Sequence, residues 1–181
     1  MNLKNQLLIA LPDMQDTRFK QAVILVCEHN SDGAMGLVIN HPIEDIDTNQ
    51  VFDELGLSQP HDNLHVLDGG PINKSSGFIL HNDNQRFKSS INLLNNLTLT
   101  TSKDLLEKIA TNQLKSHWHF ILGYSGWDKD QLESEIAQNT WLTCPINMDL
   151  IFTTPAQEKW QKALSLIGIS DYKTISGIAH A

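Results

Sequence analysis

The sequence predicts an α+β fold in which strands pair mainly antiparallel and helices pack against the sheet. Segments with the residue pattern of strands are mixed along the chain with segments of helical periodicity. Two adjacent apolar runs are joined by Asn30-Ser31-Asp32-Gly33, a turn sequence typical of a β-hairpin. A hairpin pairs its strands antiparallel, which favours α+β over a doubly wound parallel sheet.

The first half of the chain is predicted to be mostly strands. Strands are expected over residues 6–11, 21–29, 34–40 and 76–81, because these runs are apolar, rich in β-branched residues and bounded by turn residues. Residues 64–72 are expected to form a strand that runs into a Gly-Gly-Pro bend. A helix is expected over 49–56, with Thr48 as its N-cap and Gly56 at its C-terminal end. The segment 90–101 is predicted to be a strand pair or an irregular β segment.

The second half alternates more regularly between the two element types. Helices are expected over 102–113 and 128–139 and a strand over 117–127, and the segments 141–146 and 148–152 are expected to give one or two further short strands. The last helix begins with Thr154 as N-cap and Pro155 at its first position, and Gly168 ends it. The strand over 117–127 is predicted to end in a glycine-bounded turn before the next helix.

Composition limits the classes of function. The 181 residues are 40% hydrophobic, enough for one domain with its own core, and the formal net charge is −8 with lysines and arginines scattered singly. Direct nucleic-acid binding is therefore disfavoured. Neither Cys27 nor Cys144 belongs to a CxxC pair, and no apolar run approaches the roughly 20 residues that span a bilayer. We expect a cytoplasmic protein without a signal peptide or membrane segment.

The stretch Cys27-Glu28-His29 places a thiol, a carboxylate and an imidazole together at the end of a predicted strand. Side chains alternate along a strand, so Cys27 and His29 are expected on one face and Glu28 on the other. The three could share a site only across a bulge, and a metal site needs three or four ligands. We predict a buried Cys27, with Glu28 and His29 at the solvated tip of a hairpin, and no metal.

A second pair of potential ligands lies in the strand over 117–127. His117 and His119 share one face, while Trp118 and Phe120 share the other and have the character of core residues. The two histidines are therefore predicted to point outward, on a solvated strand face.

Two glycine-containing segments resemble catalytic or phosphate-binding motifs without completing them. Residues 68–71, Asp-Gly-Gly-Pro, lack the lysine of a phosphate-binding loop and are predicted to form a tight bend. Residues 123–127, Gly-Tyr-Ser-Gly-Trp, differ from the nucleophile elbow G-x-S-x-G at the fifth position, so Ser125 is not predicted to be a nucleophile. Tyr124 and Trp127 either line a ligand groove or anchor this corner to the core.

Taken in order, six segments resemble the YqgE/AlgH family of bacterial proteins from about Leu7 to the end of the chain: LLIALPDMQDTRF, CEHNSDGAMGLVIN, GGPI, LTTSKDLLEKIA, LGYSGWDKDQLESEIAQNTWL and KWQKALSLIGI. The resemblance implies a cytoplasmic, single-domain protein with a bent, partly barrel-like sheet surrounded by helices. It implies no established catalytic activity, cofactor or metal, and one branch of the family is described as a regulator of alginate synthesis. The family pattern accepts alanine at the position of Ser125, which further weakens a serine-hydrolase interpretation.

Three hypotheses follow. The first is a non-enzymatic binding or regulatory protein with an unknown protein or small-molecule partner and an indirect influence on transcription. The second is an enzyme of unknown class that uses Glu28 and His29 for acid-base chemistry, and the third is a regulator that binds DNA directly. We favour the first, with no catalytic residue, cofactor or metal. Its predicted surface comprises Glu28, His29, Asn40, Gly69, Gly70, Pro71, Tyr124, Gly126 and Trp127.

Overall fold

The computed structural model describes residues 2–94 and 96–170. Within these residues the strands are β1 (Gln6–Ala10), β2 (Val23–Asn30), β3 (Gly33–Val38), β4 (Pro42–Asp47), β5 (His65–Asp68), β6 (Ile72–His81), β7 (Ser90–Leu94), β8 (Leu97–Thr100), β9 (Trp118–Asp128) and β10 (Trp141–Pro145). The α-helices are α1 (Thr48–Glu54), α2 (Lys103–Ala110), α3 (Gln131–Ala137), α4 (Met148–Phe152) and α5 (Ala156–Leu166). None of the helices among the described residues is long and apolar enough to cross a membrane.

The strands form one curled, largely antiparallel sheet, which confirms the predicted α+β class. Its main path runs β10-β1-β2-β3-β9-β6-β8-β7, and β5 joins it parallel to β9 while β4 pairs with β5. The long strand β9 pairs with β3, β5 and β6, so it connects the two halves of the sheet. Residues 90–101, for which a strand pair or an irregular β segment is predicted, form the β7–β8 hairpin.

Three apolar clusters hold the layers together. The first contains one face of β1, β2 and β3 with α4 and α5, and the second contains the opposite face of these strands with Trp127, Leu132 and Trp141. The third packs α1 and α2 against β6 and β9. Because β1 to β3 are covered on both faces, their sequences are nearly continuously apolar rather than alternating.

The β2–β3 hairpin forms as its turn sequence predicts. Gly33 has φ = 138°, and a Cβ at this position would lie 2.2 Å from the backbone oxygen of Trp127. This close approach, which only glycine allows, brings the tip of the hairpin against β9. A bulge shifts the register between Val26 and Glu28, so Cys27 is the extra residue.

Two predicted elements are wrong in type. Residues 148–152 form helix α4 rather than a strand, because Asn147 caps it by accepting a hydrogen bond from the Leu150 N–H at 2.8 Å. The segment 123–127 is not a turn: β9 continues through it to Asp128, since Gly126 and Trp127 pair with Met35 and Ala34.

Helix starts also differ from the prediction. α1 is capped by Asp47, whose carboxylate accepts from the Gln50 N–H at 3.0 Å, while Thr48 is buried at the first helical position. α5 begins at Ala156, with Pro155 at the cap position, and the Thr154 hydroxyl donates instead to the Asp149 carbonyl at 3.0 Å. Strand β4 is not indicated by the sequence, because Pro42 breaks the apolar pattern of the preceding strand.

Candidate functional site

The Gly69-Gly70 bend packs directly on β9. A Cβ at Gly69 would lie 2.3 Å from the Gly123 carbonyl oxygen, and one at Gly70, where φ is 146°, would lie 2.4 Å from the carbonyl oxygen of Tyr124. Asp68 supports the bend by accepting from the Gly70 N–H at 3.1 Å and by pairing with Lys74. The two glycines lie at the predicted bend and also allow a close backbone approach to β9, which was not predicted. The carboxylate beside them is paired with a cation.

Ser125 is part of this packing rather than a catalytic group. Its hydroxyl donates to the Gly69 carbonyl at 3.2 Å, and the residue is 1% exposed in the middle of β9. A nucleophile elbow requires an exposed serine on a strained turn, which β9 does not provide.

The adjoining cleft, which we call the tryptophan cleft, encloses about 210 Å³ between β9, β10, α3 and the loop before β2. It is lined by Met14, Asp16, Arg18, Phe19, Pro71, Gly126, Trp127, Gln131, Glu135, Thr140 and Trp141. Three of the residues predicted for a binding surface, Pro71, Gly126 and Trp127, are thus brought together here.

Aromatic rings form much of the cleft wall. Trp141 lies between the other two rings, with its centroid 5.7 Å from Phe19 and 6.2 Å from Trp127, at interplanar angles of 74° and 80°. Successive rings are therefore nearly perpendicular, the edge-to-face arrangement that aromatic pairs prefer. The tryptophans, from β9 and β10, are 7% and 3% exposed and belong to the second apolar cluster, so they anchor this corner to the core as well as lining the cleft. Phe19 ends a short 3-10 helix, Thr17–Phe19, before β2.

Glu135 organises the two indoles. Its Oε2 accepts hydrogen bonds from Trp127 Nε1 at 2.9 Å and from Trp141 Nε1 at 2.7 Å, while Gln131 Nε2 donates to Oε1 at 2.8 Å. Gln131 and Glu135 are four residues apart on α3, so one helix face supplies both polar groups. Within residues 2–94 and 96–170, the ion pairs formed by lysine, arginine and histidine side chains do not include Glu135.

The rim of the cleft carries an ion pair. Arg18 contacts Asp16 through two nitrogens, with the closest approach at 2.7 Å, and its guanidinium carbon lies 5.8 Å from the centroid of Phe19. The hydrogen bond from Arg18 holds the pKa of Asp16 below its usual value. The lining therefore contains two carboxylates and one guanidinium.

The hairpin tip lies beside the cleft, and His29 there bonds Glu133 rather than Glu28, the carboxylate named in the acid-base hypothesis. His29 Nε2 is 2.8 Å from Glu133 Oε1, and its Nδ1 accepts from the Leu3 N–H at 2.9 Å. The imidazole is 4% exposed, so the predicted solvated His29 is wrong. Glu28 is exposed and accepts from Asn30 Nδ2 at 3.2 Å.

The bulge explains this arrangement. Cys27 packs in the first apolar cluster, and Glu28 is paired with Met35, which packs against the same cluster. His29 is paired with Ala34 and contacts the side of the sheet that α3 covers. Cys27 and His29 therefore lie on opposite faces, contrary to simple alternation. Burial raises the pKa of the Cys27 thiol to about 12.

Two further predicted residues lie apart from the cleft. Asn40 is at the other end of the hairpin from its tip, where Oδ1 accepts from the Val23 N–H at 2.7 Å and Nδ2 donates to the Gln21 carbonyl at 2.8 Å. Tyr124 packs edge-to-face on Phe78, with centroids 6.2 Å apart, against the first cluster. Glu28 and Trp127, by contrast, line one shallow groove at the tip.

His119 is partly buried rather than outward-facing. Its Nε2 donates to the Ile151 carbonyl at 2.9 Å, and its ring stacks on Phe152 with centroids 5.5 Å apart. Burial, with a contribution from nearby Lys159, lowers the pKa of His119 to about 4. The Lys159 ammonium also donates to the Ile151 carbonyl, and burial lowers its pKa to about 8. Both side chains therefore donate to a carbonyl group near the C-terminal end of α4.

Sequence reasoning missed the residues that complete the cleft: Met14, Asp16, Arg18, Phe19, Gln131, Glu135, Thr140 and Trp141. They come from a loop, a helix and an edge strand that are distant in the chain. One feature of the sequence could have identified two of them: Gln131 and Glu135 are four residues apart on the helix predicted to follow Trp127. The described residues contain no group of three or more histidine, cysteine, aspartate or glutamate side chains arranged to hold a metal ion.

Comparison with known sequences gives a consistent result. The sequence model described as AlgH-like matches residues 7–172. A YqgE protein of Salmonella newport is 44% identical over 185 residues, covering 99% of this chain and 98% of that protein. A YqgE protein of Salmonella schwarzengrund is 43% identical over the same length and coverage.

Solved structures agree with the sequence comparison. The solution structure of the AlgH protein from Pseudomonas aeruginosa matches with a TM-score of 0.79 and 35% identity, covering 97% of this chain and 94% of that one. A crystal structure of a Corynebacterium diphtheriae protein matches with a TM-score of 0.74 over 93% of this chain and 90% of the other. At 22% identity, the second likeness shows the fold alone.

Proposed function

This chain belongs to the AlgH-like (YqgE) family, and on that premise we propose that it is a cytoplasmic, non-enzymatic binding protein whose ligand occupies the tryptophan cleft. A regulatory role follows from ligand binding, with any influence on transcription indirect. The observation that carries the proposal is the convergence of two tryptophans on one carboxylate at the wall of an open cleft. Concave sites with aromatic walls and few oriented polar groups are typical of small-molecule binding.

The placement of the other reactive groups supports binding over catalysis. His29 and Glu133 bond each other, the Ser125 hydroxyl is bonded to a backbone carbonyl, and the Cys27 thiol is buried with a raised pKa. Each is satisfied within the fold, whereas a general base or nucleophile must reach the substrate.

The charge of the chain supports an indirect role in regulation. A formal net charge of −8 with scattered lysines and arginines disfavours the phosphate contacts on which DNA affinity depends. A binding protein that responds to a ligand needs no such contacts.

The proposal is tested by recording the four indole N–H signals of the 15N-labelled protein while mixtures of bacterial small molecules are added. Single tryptophan-to-phenylalanine variants assign the signals. Trp127 and Trp141 report on the cleft, and Trp118 and Trp160, which lie in the other two apolar clusters, are internal controls. We expect at least one mixture to shift the two cleft signals saturably and leave the controls unchanged. If every mixture leaves the cleft signals in place, the proposed function is wrong.

A further inference from the structure

We propose that the ligand of the tryptophan cleft is a small organic cation with a guanidinium or methylated ammonium head, which lies beside the carboxylate of Glu135 and against the aromatic surface that lines the cleft. This inference rests on the proposed function and adds the chemical class of the ligand. It is carried by the hydrogen bonding and charge of Glu135, by the ring arrangement and by the size of the cleft.

The tryptophan cleft carries a negative charge that no described side chain balances. Glu135 accepts three hydrogen bonds, all from uncharged donors: two indoles and one amide. These bonds hold the carboxylate in place but leave its negative charge uncompensated among the described side chains. The other carboxylate of the lining, Asp16, is paired with Arg18. The cleft therefore retains one negative charge, which a bound cation would balance.

The two indole rings of the cleft have increased electron density. An indole that donates its N–H to a carboxylate has a more electron-rich ring, and an electron-rich face attracts cations. Trp127 and Trp141 both donate in this way to the same oxygen. Trp141 meets both Phe19 and Trp127 edge-to-face, and the parts of these rings that line the cleft offer aromatic surface to a guanidinium or methylated ammonium.

The protein contains an internal example of this interaction. The Arg18 guanidinium lies 5.8 Å from the centroid of Phe19 while bonded to Asp16. Its side chain is 62% exposed, so this cation sits at the rim and leaves the interior of the cleft open. The same pairing of an aromatic ring with a carboxylate recurs deeper in the cleft at Trp127, Trp141 and Glu135.

The size of the cleft selects a small ligand. Its volume of about 210 Å³ is below the range of roughly 300–1,000 Å³ that accommodates drug-sized molecules. A single head group fits this space, whereas a peptide or nucleotide does not. We assign the cleft to a free small cation, and a probe that carries the same head group on a peptide tests that assignment.

The test compares matched probes by following the indole signals of Trp127 and Trp141. Methylguanidinium and tetramethylammonium supply the charge, and methylurea is the neutral isostere of methylguanidinium. The tripeptide Gly-Arg-Gly presents the same guanidinium as part of a protein chain. We expect saturable shifts with both cations, no comparable shift with methylurea, and binding of the tripeptide no tighter than that of methylguanidinium.

Charge is tested on the protein side with Glu135→Gln, whose carbonyl oxygen can still accept both indole N–H bonds. We expect this variant to bind methylguanidinium about tenfold more weakly. Glu158→Gln, which removes the same charge from an exposed position on α5, is the control and should bind like the parent. A thermal melt verifies that both variants fold, and the comparison of methylguanidinium with methylurea on the parent protein is independent of either variant.

Equal shifts with methylurea, unchanged affinity in Glu135→Gln, or no shift with either cation would overturn the assignment of a cation. Tighter binding of the tripeptide would overturn the assignment of a free ligand. A neutral molecule that shifts the cleft signals would leave the proposed function standing while removing this inference. Failure of every molecule to shift them would remove both.

Discussion

His29 Nε2 lies 2.8 Å from Glu133 Oε1 although 104 residues separate the two in the chain. The opposite ring nitrogen accepts the Leu3 N–H, so the ring proton must be on Nε2 and donates to the carboxylate. Glu133 has a lowered pKa, caused first by its own backbone N–H and then by His29. This partly buried contact joins the N-terminal segment, the hairpin and α3, which forms one wall of the cleft.

Replacing this imidazole should therefore cost stability. In His29→Phe the Leu3 N–H loses its acceptor and Glu133 loses its donor, and we expect unfolding free energy to fall by about 1–3 kcal/mol. Urea denaturation measures the change. The neighbouring Glu28→Gln, at an exposed position, is the control and should change stability by less than about 0.5 kcal/mol. Equal losses in both variants would contradict the structural role of His29.

The Gly70 bend predicts a second stability difference. Gly70→Ala would place a Cβ 2.4 Å from the carbonyl oxygen of Tyr124 at φ = 146°, so we expect a loss of about 2–4 kcal/mol. Gly56→Ala is the matched control, because its φ of 68° is also positive but no atom lies within 4 Å of the added Cβ. That variant should lose only about 1 kcal/mol. Similar losses in chemical denaturation would show that backbone strain alone, rather than packing on β9, requires Gly70.

Stability should depend on pH through His119. Its folded pKa of about 4 is below the ordinary 6.5, so the folded state binds the proton more weakly than the unfolded state. The stability that follows from a neutral His119 is fully present above pH 6.5. The free energy of unfolding falls by about 2–3 kcal/mol as the pH drops from there toward 4.

The experiment compares urea denaturation of the parent and of His119→Gln across this range of pH. Burial also lowers the pKa of His41 and of His81, which adds a slope of the same sign that both proteins share. The variant should therefore show the shallower dependence. If the unfolding free energies of the two proteins changed in parallel with pH, the lowered pKa of His119 in the folded state would be contradicted.

Cys27 should be unreactive in the folded protein. Its thiol is 2% exposed and its pKa is raised to about 12, whereas only the thiolate is the nucleophile. We expect iodoacetamide near pH 8 to modify Cys27 only after the chain is unfolded in urea, as followed by mass spectrometry of the peptide that contains it. Rapid modification of Cys27 under native conditions would show that the strand end opens.

Local pattern predicted much of the fold because its causes are local. The turn at 30–33 and the apolar runs on either side are sufficient to predict the β2–β3 hairpin, and most helices and strands were found in the right order. The prediction for 148–152 failed because a five-residue apolar run does not distinguish strand from helix, and the Asn147 cap decided the outcome.

The candidate site was only partly predictable because it depends on tertiary contacts. Trp127 was identified from its glycine-rich context, but Trp141, Phe19 and Glu135 reach it from distant segments. The orientation of His29 depended on a bulge that sequence alternation cannot locate. The confirmed likeness to YqgE and AlgH proteins establishes the fold class. The ligand is inferred from the side chains that line the cleft.

The most direct test of the central claim is to measure intermolecular nuclear Overhauser effects between the methyl protons of bound methylguanidinium and the four indole rings. A cation held in the cleft should show effects to Trp127 and Trp141 and none to Trp118 or Trp160, which lie in other apolar clusters. Bound probe that shows effects only to residues outside the cleft would contradict the account.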